Sequence, residues 1–245
     1  MKKTNILYLS FIIMALLLSS CSKDDNTSTP SLDKTEVTLY VEETISLTYS
    51  GDNCIWTSDN PLIASVENGI ITANHVGETL IYANDAQCKV TVKPHYTRYY
   101  EPYITWEEGK EKVKQYMNNY EIETENNNQI VYRGNNSVLL YAYTFENSQL
   151  TSSAFATDLL ESSYLIDFIL ERYIPVSNEE NTFTFFSPDK KTGIGLQINS
   201  SYILIMYIPF NFETNSKSLN IQDIHNKINQ TIENCNISTT IKHNK

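Results

Sequence analysis

The sequence predicts an all-β sandwich followed by an α+β domain built from two αβββ repeats. Three observations carry this. Between residues 32 and 93, apolar residues alternate in short runs separated by turn residues, the pattern of a small sandwich. From residue 105, a helical apolar stripe precedes three alternating runs. That pattern then recurs at a constant offset of 53 residues.

Length and composition bound the function. At 245 residues the chain has room for one large domain or two small ones. It carries 18 Lys+Arg against 29 Asp+Glu, a net charge of -11. No basic stripe is present to neutralise phosphates, which argues against nucleic acid as a partner. An acidic balance is also the common state of a soluble surface. With 7 glycines there is little material for a phosphate-cradling loop, and neither G-x-G-x-x-G nor G-x-x-x-x-G-K-[ST] occurs.

The N-terminus reads as an address. Met1-Lys2-Lys3 is basic, and Ile6 to Leu18 is apolar but short for a bilayer, so residues 1–20 are expected to be a signal peptide. The core ends in Leu18-Ser19-Ser20-Cys21, which resembles the lipobox of bacterial lipoproteins. The resemblance implies cleavage before Cys21 and acylation of its sulfur and amine. Several acyl chains anchor stably, at ~0.8 kcal/mol per buried CH₂. Ser22-Lys23-Asp24-Asp25 resembles the Lys-plus-two-acidic signal of Bacteroidetes lipoproteins exported to the cell surface, although a solvated charged linker has the same composition. Residues 21–31 are therefore read as a lipidated cysteine and a flexible stalk, Asn26 to Pro30 being polar.

In the first domain, Val37, Leu39 and Val41 share one face, and Ile45, Leu47 and Tyr49 form the next run after a Glu42-Glu43 turn. Ser50 to Asn53 is a turn cluster, after which Cys54 and Trp56 point the same way. Asn68-Gly69 is a hairpin signal. Cys88 to Val92 closes the domain, making roughly seven strands in about 60 residues.

Trp56-Thr57-Ser58-Asp59-Asn60-Pro61, Ile63-Ala64-Ser65-Val66, Asn68-Gly69 and Gly77-Glu78-Thr79 follow one another at fixed distances. Together they resemble the group 2 bacterial immunoglobulin-like domain of invasin- and intimin-type surface proteins, over residues 32–93. One departure is Glu42, where the family often has Gly. The resemblance implies an all-β immunoglobulin-like sandwich serving as a non-catalytic spacer or adhesion module, with Trp56 in its core. Cys54 and Cys88 share parity with core-facing neighbours, so they are disulfide candidates in an oxidising envelope. The alternative is two free buried cysteines. With no C-x-x-C and His75 alone, no metal site or cofactor is expected.

Residues 94–104 form an aromatic linker. Tyr96, Tyr99, Tyr100 and Tyr103, with Trp106 just beyond, could stack sugar rings, or could bury against both domains as a strap. Thr105-Trp106-Glu107-Glu108 reads as a capping box, followed by a stripe of Val113, Met117 and Tyr120. Strands are expected over Gln129 to Arg133, Ser137 to Phe145 and Gln149 to Ala156. A second helix, capped by Thr157, runs from Asp158 to about Tyr173. Strands Thr182 to Phe186, Gly193 to Asn199 and Tyr202 to Pro209 follow. The duplicated α+β domain thus spans 105–212, as copies 105–156 and 158–209. The offset maps Val113 to Ile166, Met117 to Leu170, Tyr132 to Phe185 and Leu150 to Ile203. The unit is similar to the helix-plus-three-strand repeat of the β-lactamase inhibitor protein and of the small assembly lipoprotein of the outer-membrane barrel machinery, which implies binding to protein.

Residues 213–245 are expected to supply a helix from Leu219 to Ile232 and a tail containing the lone thiol of Cys235. The four histidines fall at unrelated places, and neither H-E-x-x-H nor G-x-S-x-G occurs. Paired carboxylates such as Glu161 with Glu171 suit a solvated face as well as they suit catalysis. The sequence therefore predicts a surface-anchored, non-catalytic outer-membrane lipoprotein, held to the membrane through Cys21 and used for adhesion or protein binding. One alternative is a glycan-binding accessory of a polysaccharide-uptake system. The other is a periplasm-facing assembly or inhibitor protein.

Overall fold

Alternation writes the first seven strands, which surround one core. They are β1 (Glu36–Tyr40), β2 (Thr44–Ser46), β3 (Trp56–Ser58), β4 (Ala64–Glu67), β5 (Ile70–Ala73), β6 (Gly77–Ala83) and β7 (Ala86–Lys93). In the computed structural model, which describes residues 29–179, 181–210 and 221–234, they form sheets ordered β1-β7-β6-β3 and β2-β5-β4. β1 runs parallel to β7, and the remaining pairs are antiparallel. Val37 and Leu39 of β1, Ile71 of β5, Ile81 of β6 and Cys88, Val90 and Val92 of β7 meet between the sheets. Period-2 strands with one wet face must bury the other, and this packing does so.

The Asn68-Gly69 turn joins β4 to β5 with both residues at positive φ, 51° and 81°, as a two-residue hairpin of matching twist requires. Glycine is needed here for space as well. A Cβ on Gly69 would lie 2.8 Å from the Leu47 carbonyl oxygen and 3.0 Å from the Trp56 ring. Trp56 is half-buried against the core.

The described residues that follow make a single eight-stranded antiparallel sheet with helices on both faces. Helix α1 (Lys110–Tyr116) precedes β8 (Ile122–Glu125), β9 (Gln129–Arg133), β10 (Val138–Glu146) and β11 (Gln149–Thr157). Helix α2 (Ser162–Leu170) precedes β12 (Ile174–Glu179), β13 (Thr182–Phe186), β14 (Thr192–Ile198) and β15 (Ile203–Pro209). The order is β12-β13-β14-β15-β11-β10-β9-β8, so two four-strand meanders join at the β11–β15 seam, where Phe155 faces Ile205. One face carries Tyr132, Tyr141, Tyr143, Phe155, Ile194 and Tyr207 beneath α1 and α2. The other carries Leu140, Ala154, Leu204 and Met206, on which Ile228 of α3 (Ile221–Asn234) packs. Ser31–Lys245 is one compact unit.

Several expectations need correction. Each half has four strands instead of three: β8 and β12, the two sheet edges, were not expected. Neither capping prediction holds. Helix α1 begins after Gly109, because Glu107 sits at φ 68° and the Glu108 carboxylate accepts from the Tyr103 hydroxyl instead of closing a capping box. Asp158 caps a single turn ahead of α2 by accepting from Leu160 N–H at 3.0 Å, while the Thr157 hydroxyl donates to the Ser137 carbonyl. β9 and β13 keep the 53-residue offset at both ends, but the helix stripes do not. Val113 and Met117 are fully buried, whereas the matched Ile166 and Leu170 are exposed, and Leu165, Phe168 and Ile169 face inward instead. The leader, Cys21, Cys235 and the tail lie outside the described residues.

Candidate functional site

The junction between the two-sheet module and the large sheet is built around Glu171 and Arg172, at the end of α2. Both are buried, at 6% and 7% exposure. The Glu171 carboxylate accepts the backbone N–H of His95 at 2.8 Å through one oxygen and that of Tyr96 at 3.0 Å through the other. Its own carbonyl accepts the N–H of Val76 from the first module, also at 2.8 Å. Arg172 donates to the carbonyls of Tyr96 at 2.9 Å and Phe168 at 3.0 Å, and its guanidinium lies 3.8 Å from the centre of the Phe168 ring. Carboxylates of Glu171 and Glu101 stand 3.6 and 3.7 Å away from it, so the buried cation is paired. On the other side, the His95 imidazole stacks on Tyr40 at 5.1 Å and meets the Val41 carbonyl at 3.1 Å. A carbonyl only accepts, so that contact makes Nε2 the protonated nitrogen.

The strap that follows divides the five predicted stacking residues. Tyr99 is 4% exposed, packed between Phe155 and Phe168, and burial pushes its phenol up to about 12. It has no free face, so its assignment as a stacking residue is corrected. Trp106 is half-buried and donates to the buried Thr192 hydroxyl at 3.2 Å. Tyr103 is half-buried, gives its hydroxyl to Glu108, and leans on Tyr116 at 5.2 Å. Tyr96 sits edge-on to Tyr164 at 6.4 Å, and the Asp167 charge beside it pushes its phenol upward. Tyr100 alone of the five is exposed, at 43%, its ring stacked on Tyr116 at 5.0 Å and Tyr120 at 5.9 Å. Side-chain hydroxyls of the sheet tie down the strap's backbone: that of Tyr141 donates to the Tyr100 carbonyl at 3.0 Å, and that of Ser153 to the Tyr103 carbonyl.

Beside the clamp lies a cleft of about 580 Å³ between the modules, lined by Glu42, Asn74, His95, Tyr96, Asp167 and Leu170 among others. Glu42 stands at φ 71° there, the left-handed region that favours glycine.

Cys54 and Cys88 are both free thiols, which corrects the expected disulfide. Register explains it. Ile81 pairs with Ser58 on one side and Cys88 on the other, so Cys88 is level with Ser58, four positions along from Cys54. Four strand positions span about 13 Å, against the ~7 Å limit between bridged Cα atoms. Burial raises both thiols, so neither is an activated nucleophile. Among the described residues no group of three or more His, Cys, Asp or Glu is placed to hold a metal ion, and no helix is long and apolar enough to cross a membrane.

No protein-family model matches this chain, and none of the curated proteins matches it in sequence. Glu171 and Arg172 were missed as a site because their partners lie about 75 positions away, leaving no local motif.

Proposed function

We propose that this chain is a surface-anchored, non-catalytic bacterial lipoprotein in which an immunoglobulin-like spacer displays a duplicated α+β domain to a protein partner. The observation that carries the reading is Leu18-Ser19-Ser20-Cys21 at the end of a short apolar core, followed at once by Ser22-Lys23-Asp24-Asp25. The seven-strand count and the two sheets around one core suit the immunoglobulin-like reading. The 53-residue spacing of β9 and β13, each third from its sheet's seam, suits a duplication. A spacer displays its neighbour only if the joint is stiff, and the Glu171 clamp supports that role. The test is incorporation of an alkyne fatty acid by cells expressing the full chain. The wild type takes up the label and partitions into the membrane fraction, and Cys21→Ser does neither. Equal labelling of the two would refute the anchor.

A second reading is glycan capture, favoured by the exposed Tyr100 ring on its two supporting tyrosines. A glycan array probed with wild type and Tyr100→Ala decides it, because this exposed ring can be removed without opening the core. Binding lost in the variant supports a sugar platform. Absent or unchanged binding removes it.

A further inference from the structure

Helix α2 is apolar on two sides. Six of its nine residues are Tyr, Leu, Ile or Phe, yet Leu165, Phe168 and Ile169 suffice to dock it on the sheet. On the opposite side Ile166 and Leu170 are 37% and 45% exposed, with Leu160 at 91% in the turn before the helix. Helices apolar all round are ordinarily covered all round, and contiguous exposed apolar surface marks an interaction site. The matched positions of the first half, Val113 and Met117, face the core, so it is the rotation of α2 that turns this stripe outward.

Leu170 is also a wall of the cleft between the modules, together with Asp167 and Glu42. Among the described residues neither carboxylate forms an ion pair, whereas Glu171 and Glu101 are occupied by Arg172. Asp167 also takes the Tyr96 hydroxyl, but an apolar stripe beside two carboxylates that lack a cation suits an incoming apolar side chain flanked by cations. A second copy fits poorly, since it would bring the same carboxylates and a net charge of -11 against themselves. We infer that the outer face of α2 and the adjoining cleft are the docking surface for a partner segment carrying leucine-like side chains flanked by Lys or Arg. This rests on the protein-binding reading above and specifies where and what it binds.

The probe is a short soluble peptide with two leucines flanked by lysines, titrated by amide NMR into the unlipidated chain from Ser31 to Lys245. Its controls carry Glu for each Lys, or Ser for each Leu. The expected result is saturable shifts centred on Ile166, Asp167, Leu170 and Glu42, weakening with salt. Leu170→Ser and Asp167→Asn each lower affinity about tenfold or more, with circular dichroism and melting unchanged because both side chains face solvent or the cleft. Equal binding of the Glu peptide, shifts centred elsewhere, or no binding overturns the inference. Concentration-dependent dimerisation abolished by Leu170→Ser also overturns it, naming a second copy as the occupant. Photo-crosslinking residues placed singly at Leu170, Tyr100 and Ile122 on intact cells separate the two levels. Adducts only at Tyr100 or Ile122 sink this surface and keep protein binding, and adducts at none of the three sink both.

Discussion

Glu171 accepts the main-chain N–H of His95 at 2.8 Å, and its second carboxylate oxygen takes the next amide, that of Tyr96, at 3.0 Å. One buried side chain at the end of α2 thus holds both residues that leave the first module, while Arg172 neutralises it from behind. Breaking such a pair is costly, since the surviving charge stays buried: about 3–5 kcal/mol. Glu171→Ala should lose roughly that much in urea unfolding, and the two modules should then unfold in separate transitions. Glu171→Gln keeps an acceptor for one amide and should lose less. A single transition with unchanged midpoint in Glu171→Ala would deny the clamp its role.

Glu42 and Gly69 make opposite predictions from the same backbone region. At φ 71°, Glu42 occupies a conformation that costs a non-glycine residue about 1 kcal/mol, so Glu42→Gly should stabilise by that order. The melting temperature would rise by about 2–4 °C for a chain of this size. Gly69→Ala should destabilise by more, because φ is 81° and the new Cβ would press on the Leu47 carbonyl. Thermal melts of both variants check the pair of signs.

Buried tyrosines make the fold sensitive to alkali. Tyr99 and Tyr132 are pushed up to about 12 by burial, and burial raises Tyr141, Tyr143, Tyr173 and Tyr207 as well. An unfolded tyrosine ionises near pH ~10, so above that pH the unfolded chain binds fewer protons than the folded one and stability falls as pH rises. The contribution is fully present below about pH 10 and is lost as pH climbs through the folded values. For Tyr99 alone that is roughly 2–3 kcal/mol. Tyrosinate absorbance of this buried set should therefore appear together with loss of circular dichroism above pH ~10. Ionisation of the set without unfolding would contradict their burial.

The two cysteines predict a thiol titration. Cys88 is fully buried and Cys54 half-buried, both unbonded. In the chain from Ser31 carrying Cys235→Ser, Cys54 should react slowly with an alkylating reagent and Cys88 only in denaturant, with no mass change on reduction. Failure of both cysteines to alkylate even in denaturant, with a mass gain of two hydrogens on reduction, would restore the bridge.

Much of this fold is legible locally. Asn68-Gly69 marks its hairpin because Asn and Gly take positive φ most readily, and β9 and β13 declare their bounds through dense aromatic and β-branched residues. The edge strands were hidden for physical reasons. β8 has one apolar residue in four, and β12 contains Pro175, tolerated because an edge strand need not donate on its outer side. Helix α2 misled because six apolar residues in nine leave more than one side that could face in. The aromatic strap was visible as composition, but only packing separates the buried Tyr99 from the exposed Tyr100. The clamp left no trace, since Glu171 looks like any carboxylate at a helix end.

The central claim is that a lipid on Cys21 holds the chain on the outside of the cell with its large sheet presented outward. Protease treatment of intact cells expressing the full chain tests this most directly, with a periplasmic protein as the internal control. The account predicts that the chain is digested while the control survives, and that Cys21→Ser abolishes the protease-sensitive surface pool. Survival of the chain until the outer membrane is opened would contradict it.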